Sequence, residues 1–298
     1  MLPIINHPDY VAQIGDDHRF PIKKFGELIK LLRKKNIATT YNTFEPNEVS
    51  VTTLLNVHTE EYINKINNLS LDKDEIRKLG FPLVKSVRRR SFVATGGTVL
   101  ASKLAVKHKL ACNTAGGSHH AFSNQGNGYC VFNDVAVAAH YLLDRGFANR
   151  ILIVDLDVHQ GNGNSEIFKD NRHVFTFSMH SKTNYPAKKS MSDLDVELED
   201  NVEDEVYIET LKFNLNELNN ENFDFVFYIA GVDIHFNDRL GKLKISDEGV
   251  KQRDELVIEN FSSKKIPICG VLGGGYNKDF KKLIELHSFL HQSCAKLI

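Results

Sequence analysis

The chain has 298 residues, a formal net charge of −1, 42% hydrophobic residues and 25% charged residues. This is the composition of an ordinary folded protein, long enough for one α/β unit. The balanced charge removes the electrostatic case for direct nucleic-acid binding or an anionic membrane surface. No run reaches the roughly 18 apolar residues of a membrane span.

The opening MLPIINHPDY has no charged leader and no long apolar run, so a secretory signal is not expected. Residues 22–35 then read as an amphipathic helix with a lysine-rich face. Lys85, Arg88, Arg89 and Arg90 form a basic cluster that reads as a solvated helix start, with a binding surface as the alternative. Helical spacing of small and apolar residues follows over 94–108, and a buried strand over 109–115. A helix at 133–145 leads to the apolar run ILIVDLD, a strand over 151–157. Strands over 173–179, 224–230 and 266–272 come next, with helices at 203–219, 247–260 and 277–291 between and after them.

Strands alternating with helices predict a mainly parallel sheet covered on both faces. The expected fold is a three-layer α/β/α unit in one domain spanning 1–298, with no repeat and no linker. Cys112, Cys130, Cys269 and Cys294 are far apart and include no CxxC pair. Free thiols in a reducing, cytoplasmic compartment are the expectation, with a nuclear one open for a eukaryotic source.

In such sheets ligands bind beyond the carboxyl ends of the strands, and there the unusual residues fall. AGGSHHAF, DLDVHQGNG, SMH, AGVDIHFND and GGGYNKD each end or follow one of the five strands. Residues two apart in an extended segment share a side, so Asp157 and His159 present a carboxylate and an imidazole together. With Asp233 as a third ligand, a Zn²⁺ ion would keep one position open for catalysis. Helix capping and turn formation are the plainer alternative, and for Asp233 alone it stays open. His119 and His120, on a glycine-rich loop, suit acid–base work near neutral pH; a surface pair or a second metal site is the alternative. Tyr276, after three glycines, could donate to a developing oxyanion or simply pack. The glycine turn has no Walker lysine pattern or GxGxxG to support phosphate binding.

Taken in order and spacing, GGSHHAF, GNGYCVFNDVAVAA, ILIVDLDVHQGNGN, AGVDIHFNDRLGKLKIS and GGGYNKD resemble the zinc-dependent histone deacetylase superfamily. HQGNGN, AGVD…DRLG and HRFPIKKF near residue 18 look most like class IV. The resemblance implies the arginase/deacetylase fold and hydrolysis of an acyl-lysine amide, acetyl or long-chain fatty acyl. It implies Asp157, His159 and Asp233 as zinc ligands, His120 as general base, His119 as its electrostatic or acid partner, and Tyr276 as the transition-state tyrosine. Asp155 matches the carboxylate that hydrogen-bonds the first histidine. A structural K⁺ or Na⁺ is implied at Asp155, Asp157, His159, Ser178 and Met179, and a second cation loop at Phe168, Asn171 and Val174. Gly128 and Tyr129 with Tyr185 opposite, together with Gly274 and Gly275, match the walls of a narrow acyl-lysine channel, where two rings suit an apolar stem.

Two positions depart from the class I pattern. Asn162 stands where many members pair the second histidine with an aspartate, which makes the pKa of that base an open question. The segment RKLGFPL at 77–83 lacks the rim carboxylate that holds a substrate peptide. Small acyl-amines, including acetylpolyamines, are therefore a second substrate class beside acyl-lysine proteins and peptides. A non-catalytic acyl-lysine reader is opposed by the completeness of the site. A two-manganese, arginase-like site would need carboxylates where Gly161 and His235 stand. The oligomeric state is not legible.

Overall fold

The computed structural model describes residues 1–15 and 17–298. Its centre is an eight-stranded sheet in which every neighbouring pair is parallel. The strands are β1 (Ile4–Ile5), β2 (Thr43–Phe44), β3 (Leu110–Asn113), β4 (Ile151–Asp155), β5 (Val174–Ser181), β6 (Leu194–Leu198), β7 (Phe225–Ile229) and β8 (Ile268–Val271). Their spatial order is β2-β1-β3-β8-β7-β4-β5-β6. The five expected strands are β3, β4, β5, β7 and β8. All residues of β3, β4, β7 and β8 are buried, as continuous apolar runs in a doubly covered parallel sheet must be. The strands that sequence reading missed are the outer ones. β1 and β2 have two residues each, too few for any periodicity, and the edge strand β6 is half polar.

The longer helices are α1 (Lys24–Lys34), α5 (Lys85–His108), α6 (Asp134–Asp144), α8 (Asp204–Leu218), α9 (Asp247–Ser262) and α10 (Phe280–Ala295). The shorter ones are α2 (Val51–Leu54), α3 (Glu60–Asn67), α4 (Lys73–Leu79) and α7 (Asn162–Phe168). α1 packs on α10, α10 on α9 and α9 on α8, while α5 packs on α6 and α6 on α7. The sheet flanked by these helices is the expected α/β/α arrangement. Among the described residues, no helix is long and apolar enough to cross a membrane.

Two charged groups break the surface reading. The basic cluster and the 94–108 segment belong to one 24-residue helix, α5. Arg90 within it is buried, its Nε donating to the Tyr10 carbonyl at 3.1 Å. Lys24, on the lysine-rich helix, is fully buried. A charge pattern marks such residues as solvated, and only tertiary packing says otherwise.

Candidate active site

The site lies beyond the carboxyl ends of the four central strands β3, β8, β7 and β4. β4 ends at Asp155, and the chain bends there instead of continuing extended. Asp157 and His159 therefore converge through a turn, with Asp157 Oδ1 accepting from the His159 backbone N–H at 3.0 Å. The same oxygen lies 3.0 Å from His159 Nδ1. Asp157 Oδ2 accepts from the Gly274 N–H at 2.6 Å. At Gly274 a Cβ would collide with the Asp233 and Asp157 carboxylates, so the backbone approach requires glycine. Burial would push the Asp157 carboxyl up, but His119 and His159 hold it well below its ordinary value.

Asp233 comes from the loop after β7. Its Oδ1 accepts from the Val158 N–H at 2.9 Å. Its Oδ2 lies 3.1 Å from His159 Nδ1 yet receives no hydrogen bond, because one N–H cannot serve both carboxylates. One ligand atom from each of Asp157, His159 and Asp233 lies within 4.8 Å of the others, and all three residues are buried. An undonated carboxylate oxygen at full burial is costly. Two carboxylates and an imidazole converging on it fit a divalent, zinc-type cation, which would satisfy all three.

His119 and His120 lie on the loop after β3, their ring centroids 4.1 Å apart. The loop is fixed by Asp134, which accepts from the Ser118 and Gly117 N–H groups at 2.7 and 3.2 Å. His119 Nδ1 lies 2.7 Å from Asp155 Oδ2, whereas His120 Nδ1 lies 2.7 Å from Asn162 Oδ1, at the start of α7. Burial alone would lower both imidazoles. For His119 the Asp155 and Asp157 charges win, raising it to about 9. His120 has only an amide partner and two neighbouring histidines, so it is driven well below its usual value. Unlike environments acting on adjacent titratable groups separate an acid from a base.

Tyr276 is buried, and burial keeps its phenol protonated. Its N–H donates to Asp238 at 2.6 Å, and its carbonyl accepts from Arg239 Nε at 2.9 Å. Lys24 Nζ lies 3.4 Å from the carbonyls of Gly273 and Gly275, behind this turn. Burial pulls that ammonium down to about 8, against the Asp233 and Asp157 charges.

Two spaces meet at these residues. An inner one of about 30 Å³ is lined by Phe20, Phe25, Arg90, Gly117, Cys130 and the site histidines. An outer one of about 530 Å³ is lined by Gly128, Tyr129, Tyr185, Asn184, Leu240, Arg77 and Lys78, and reaches His120, His159 and Tyr276. The Tyr185 ring stands edge-on to His120 at 4.8 Å, and the Tyr129 ring lies 6.0 Å from that of Tyr276. A Cβ on Gly128 would meet the His120 ring at 2.7 Å.

Asp155 and Ser178 are register partners across β4 and β5, with Met179 buried next to them. Phe168, Asn171 and Val174 form a separate turn. There the Phe168 carbonyl accepts from Asn171 N–H at 2.8 Å, and the Asn171 carbonyl from Val174 N–H at 3.1 Å. Sequence reading missed Lys24, Arg90, Phe20, Phe25, Asp134 and Asp238. Lys24, Phe20 and Phe25 lie in the segment HRFPIKKF, Asp134 in GNGYCVFNDVAVAA and Asp238 in AGVDIHFNDRLGKLKIS, so those motifs held a signal; Arg90 carried none.

A family model for the histone deacetylase domain matches residues 18–288. An uncharacterized protein of Picosynechococcus sp. is 42% identical over 292 residues, covering 98% of this chain and 97% of that protein. Histone deacetylase 2 of Arabidopsis thaliana is 33% identical over 278 residues, 90% of this chain and 72% of the other. The crystal structure of a histone deacetylase homolog complexed with SAHA superposes with a TM-score of 0.84 at 25% identity, covering 99% of this chain and 84% of that one. By its sequence along almost the whole length and by its sheet, this chain belongs to the zinc-dependent histone deacetylase superfamily of hydrolases.

Proposed function

We propose that the protein is a zinc-dependent lysine deacylase that removes short acyl groups, acetyl above all. The observation that carries this reading is the pair of buried histidines with unlike partners beside the Asp157–His159–Asp233 cluster. Those three residues would hold the metal, which when bound supplies polarisation of the acyl carbonyl and acidification of the attacking water. The amide oxygen of Asn162 only accepts, so His120 carries its hydrogen on Nδ1 and turns the bare Nε2 to the site. His120 takes the proton of the attacking water there. Tyr276 donates its phenol hydrogen to the oxyanion. His119, held as imidazolium by Asp155, steadies the negative charge and supplies the proton that the leaving amine needs.

The lysine stem runs between the Gly128–Tyr129 wall and Tyr185, with the Gly274–Gly275 turn at its inner end. The inner space, lined by Gly128, Tyr129, Asp157, His159 and Tyr276 and closed off by Phe20, Phe25 and Arg90, holds about 30 Å³, roughly two waters' worth. A long fatty chain has no room unless Phe20, Phe25 or Arg90 moves, which supports acetyl over long acyl. Asn162 in place of a carboxylate supports a class IV-like placement. The cation positions around Asp155 and the Phe168–Val174 turn belong to the same proposal, as candidates for K⁺ or Na⁺. One sheet drawing strands from Ile4 to Val271 supports a single domain over 1–298. Four buried free thiols support a reducing, cytoplasmic setting.

Zinc-loaded protein offered matched acetyl-lysine and myristoyl-lysine peptides, with release followed by mass spectrometry, tests the reading. Acetyl release in preference is expected. Myristoyl preference overturns the short-acyl assignment, and no release of either group by zinc-bound protein overturns the lysine-deacylase reading and moves it to small acyl-amines.

A further inference from the structure

A lysine stem fills the channel, so whatever the amine is attached to sits at its mouth. That mouth is basic. Arg77 and Lys78 line it, and no carboxylate does so among the described residues. Both cations are exposed. Lys78 forms no ion pair among the described residues, and Asp72 is the carboxyl group that feels its charge. Arg77 pairs with Asp74 at 3.1 Å, but the two side chains are 79% and 74% exposed. Such a pair contributes little and yields readily to a better anion.

The two cations are also held in place. They end α4, and the backbone there is tied to the channel wall. Gly128 N–H donates to the Lys78 carbonyl at 3.2 Å, and Tyr129 N–H to the Leu79 carbonyl at 2.8 Å. Two further cations do not line this space: Arg239 is anchored on the Tyr276 carbonyl, and Lys189 donates to the carbonyls of Asn184 and Pro186, flanking Tyr185. Lys189 is partly balanced by Glu197 and Asp195. The neighbouring carboxylate Asp238 does not line this space; it is buried and accepts from the N–H groups of Tyr276, Leu240 and Gly241. A one-signed mouth focuses its field on an arriving substrate.

We infer that Arg77 and Lys78 select acyl-amines bearing a carboxylate at the far end of the stem, and disfavour polycationic ones. The inference rests on the lysine-deacylase reading and narrows its substrate. Two sources supply such a carboxylate: acidic side chains flanking an acyl-lysine in a protein, and the α-carboxylate of free Nε-acyl-lysine. Acetylpolyamines and acetyl-lysines in strongly basic tails meet repulsion instead.

The test uses three acetyl-lysine peptides differing only in flanks of Asp/Glu, Ser/Gly or Lys/Arg. Free Nε-acetyl-lysine and its carboxamide are run beside them. Hydrolysis is read as kcat/KM by mass spectrometry, and binding by fluorescence anisotropy of labelled peptides. Two exposed contacts predict a preference of about tenfold for acidic over basic flanks at low salt, shrinking at high salt. Arg77→Glu/Lys78→Glu is expected to erase or invert that ratio. A preference for free Nε-acetyl-lysine over its carboxamide that exceeds the peptide effect assigns the small-molecule source; the reverse assigns the protein source. Flank-independent hydrolysis and binding overturn the inference and leave the deacylase reading intact. If no substrate is hydrolysed yet acid-flanked peptides bind more tightly in a way the charge reversal abolishes, the rim inference stands and the deacylase reading falls.

Discussion

His120 Nδ1 lies 2.7 Å from Asn162 Oδ1 with both side chains buried. An amide orients the imidazole but does not stabilise its protonated form as a carboxylate would. Asn162→Asp is therefore expected to raise the His120 pKa. A base with a raised pKa is protonated, and idle, at higher pH. The acidic limb of the kcat/KM profile should move up by about one pH unit. An unmoved limb would remove His120 from the role of base.

Proton transfer and metal holding are assigned to different side chains, so they should fail separately. His120→Ala is expected to lower turnover about a hundredfold to ten-thousandfold while zinc content, read by atomic absorption, is unchanged. Asp157→Ala should lose the zinc itself. Full metal occupancy in Asp157→Ala contradicts the proposed ligand set.

Without metal, the Asp157 and Asp233 carboxylates outweigh burial and raise His159 to about 10. That imidazole holds a proton at neutral pH, whereas a coordinating imidazole must be neutral. Zinc binding to chelator-stripped protein should release about one proton. Calorimetric titration in buffers of different ionisation enthalpy measures it directly. A binding heat independent of buffer means the proton is not there.

His58 and His291 are buried away from the metal cluster, and burial lowers each from 6.5 to about 4. Between those values the unfolded chain binds protons that the native state refuses. Stability is full above about pH 6.5 and falls with acidification, by about 1.4 kcal/mol per pH unit for each histidine. Urea unfolding from pH 7 to 5 should reveal this slope, and His58→Gln should flatten it. An equal slope in the variant means that His58 is not among the groups responsible.

The central strands were legible because an unbroken apolar run has few other uses, and each run stopped at residues that do not belong in a core. Asp157 and His159 could be paired from spacing, although the assumed geometry was wrong: the strand stops at Asp155, and a turn brings the ligands together. The contacts His119–Asp155 and His120–Asn162 came from likeness to a family, since nothing local links residues 36 and 42 positions apart. The burial of Arg90, and of Lys24 despite the motif it sits in, was illegible for a physical reason. A lysine in a helix looks solvated until the tertiary fold supplies carbonyls such as those of Gly273 and Gly275 at its tip.

The strand order also dictates when the site can exist. β8 lies between β3 and β7, so the loops carrying the histidine pair and Asp233 take their mutual position only once that late strand is in place. The glycine turn that supplies the Asp157 N–H contact, and Tyr276 with it, follows that same strand. During synthesis from the amino end, the chain carries an unfinished sheet through most of its length. It then closes the sheet and assembles the site in one late, long-range step, the kind of non-local pairing that makes folding slow. Loss of the segment from Ile268 onward would therefore remove the sheet's middle strand and the site together, leaving no half-active remnant.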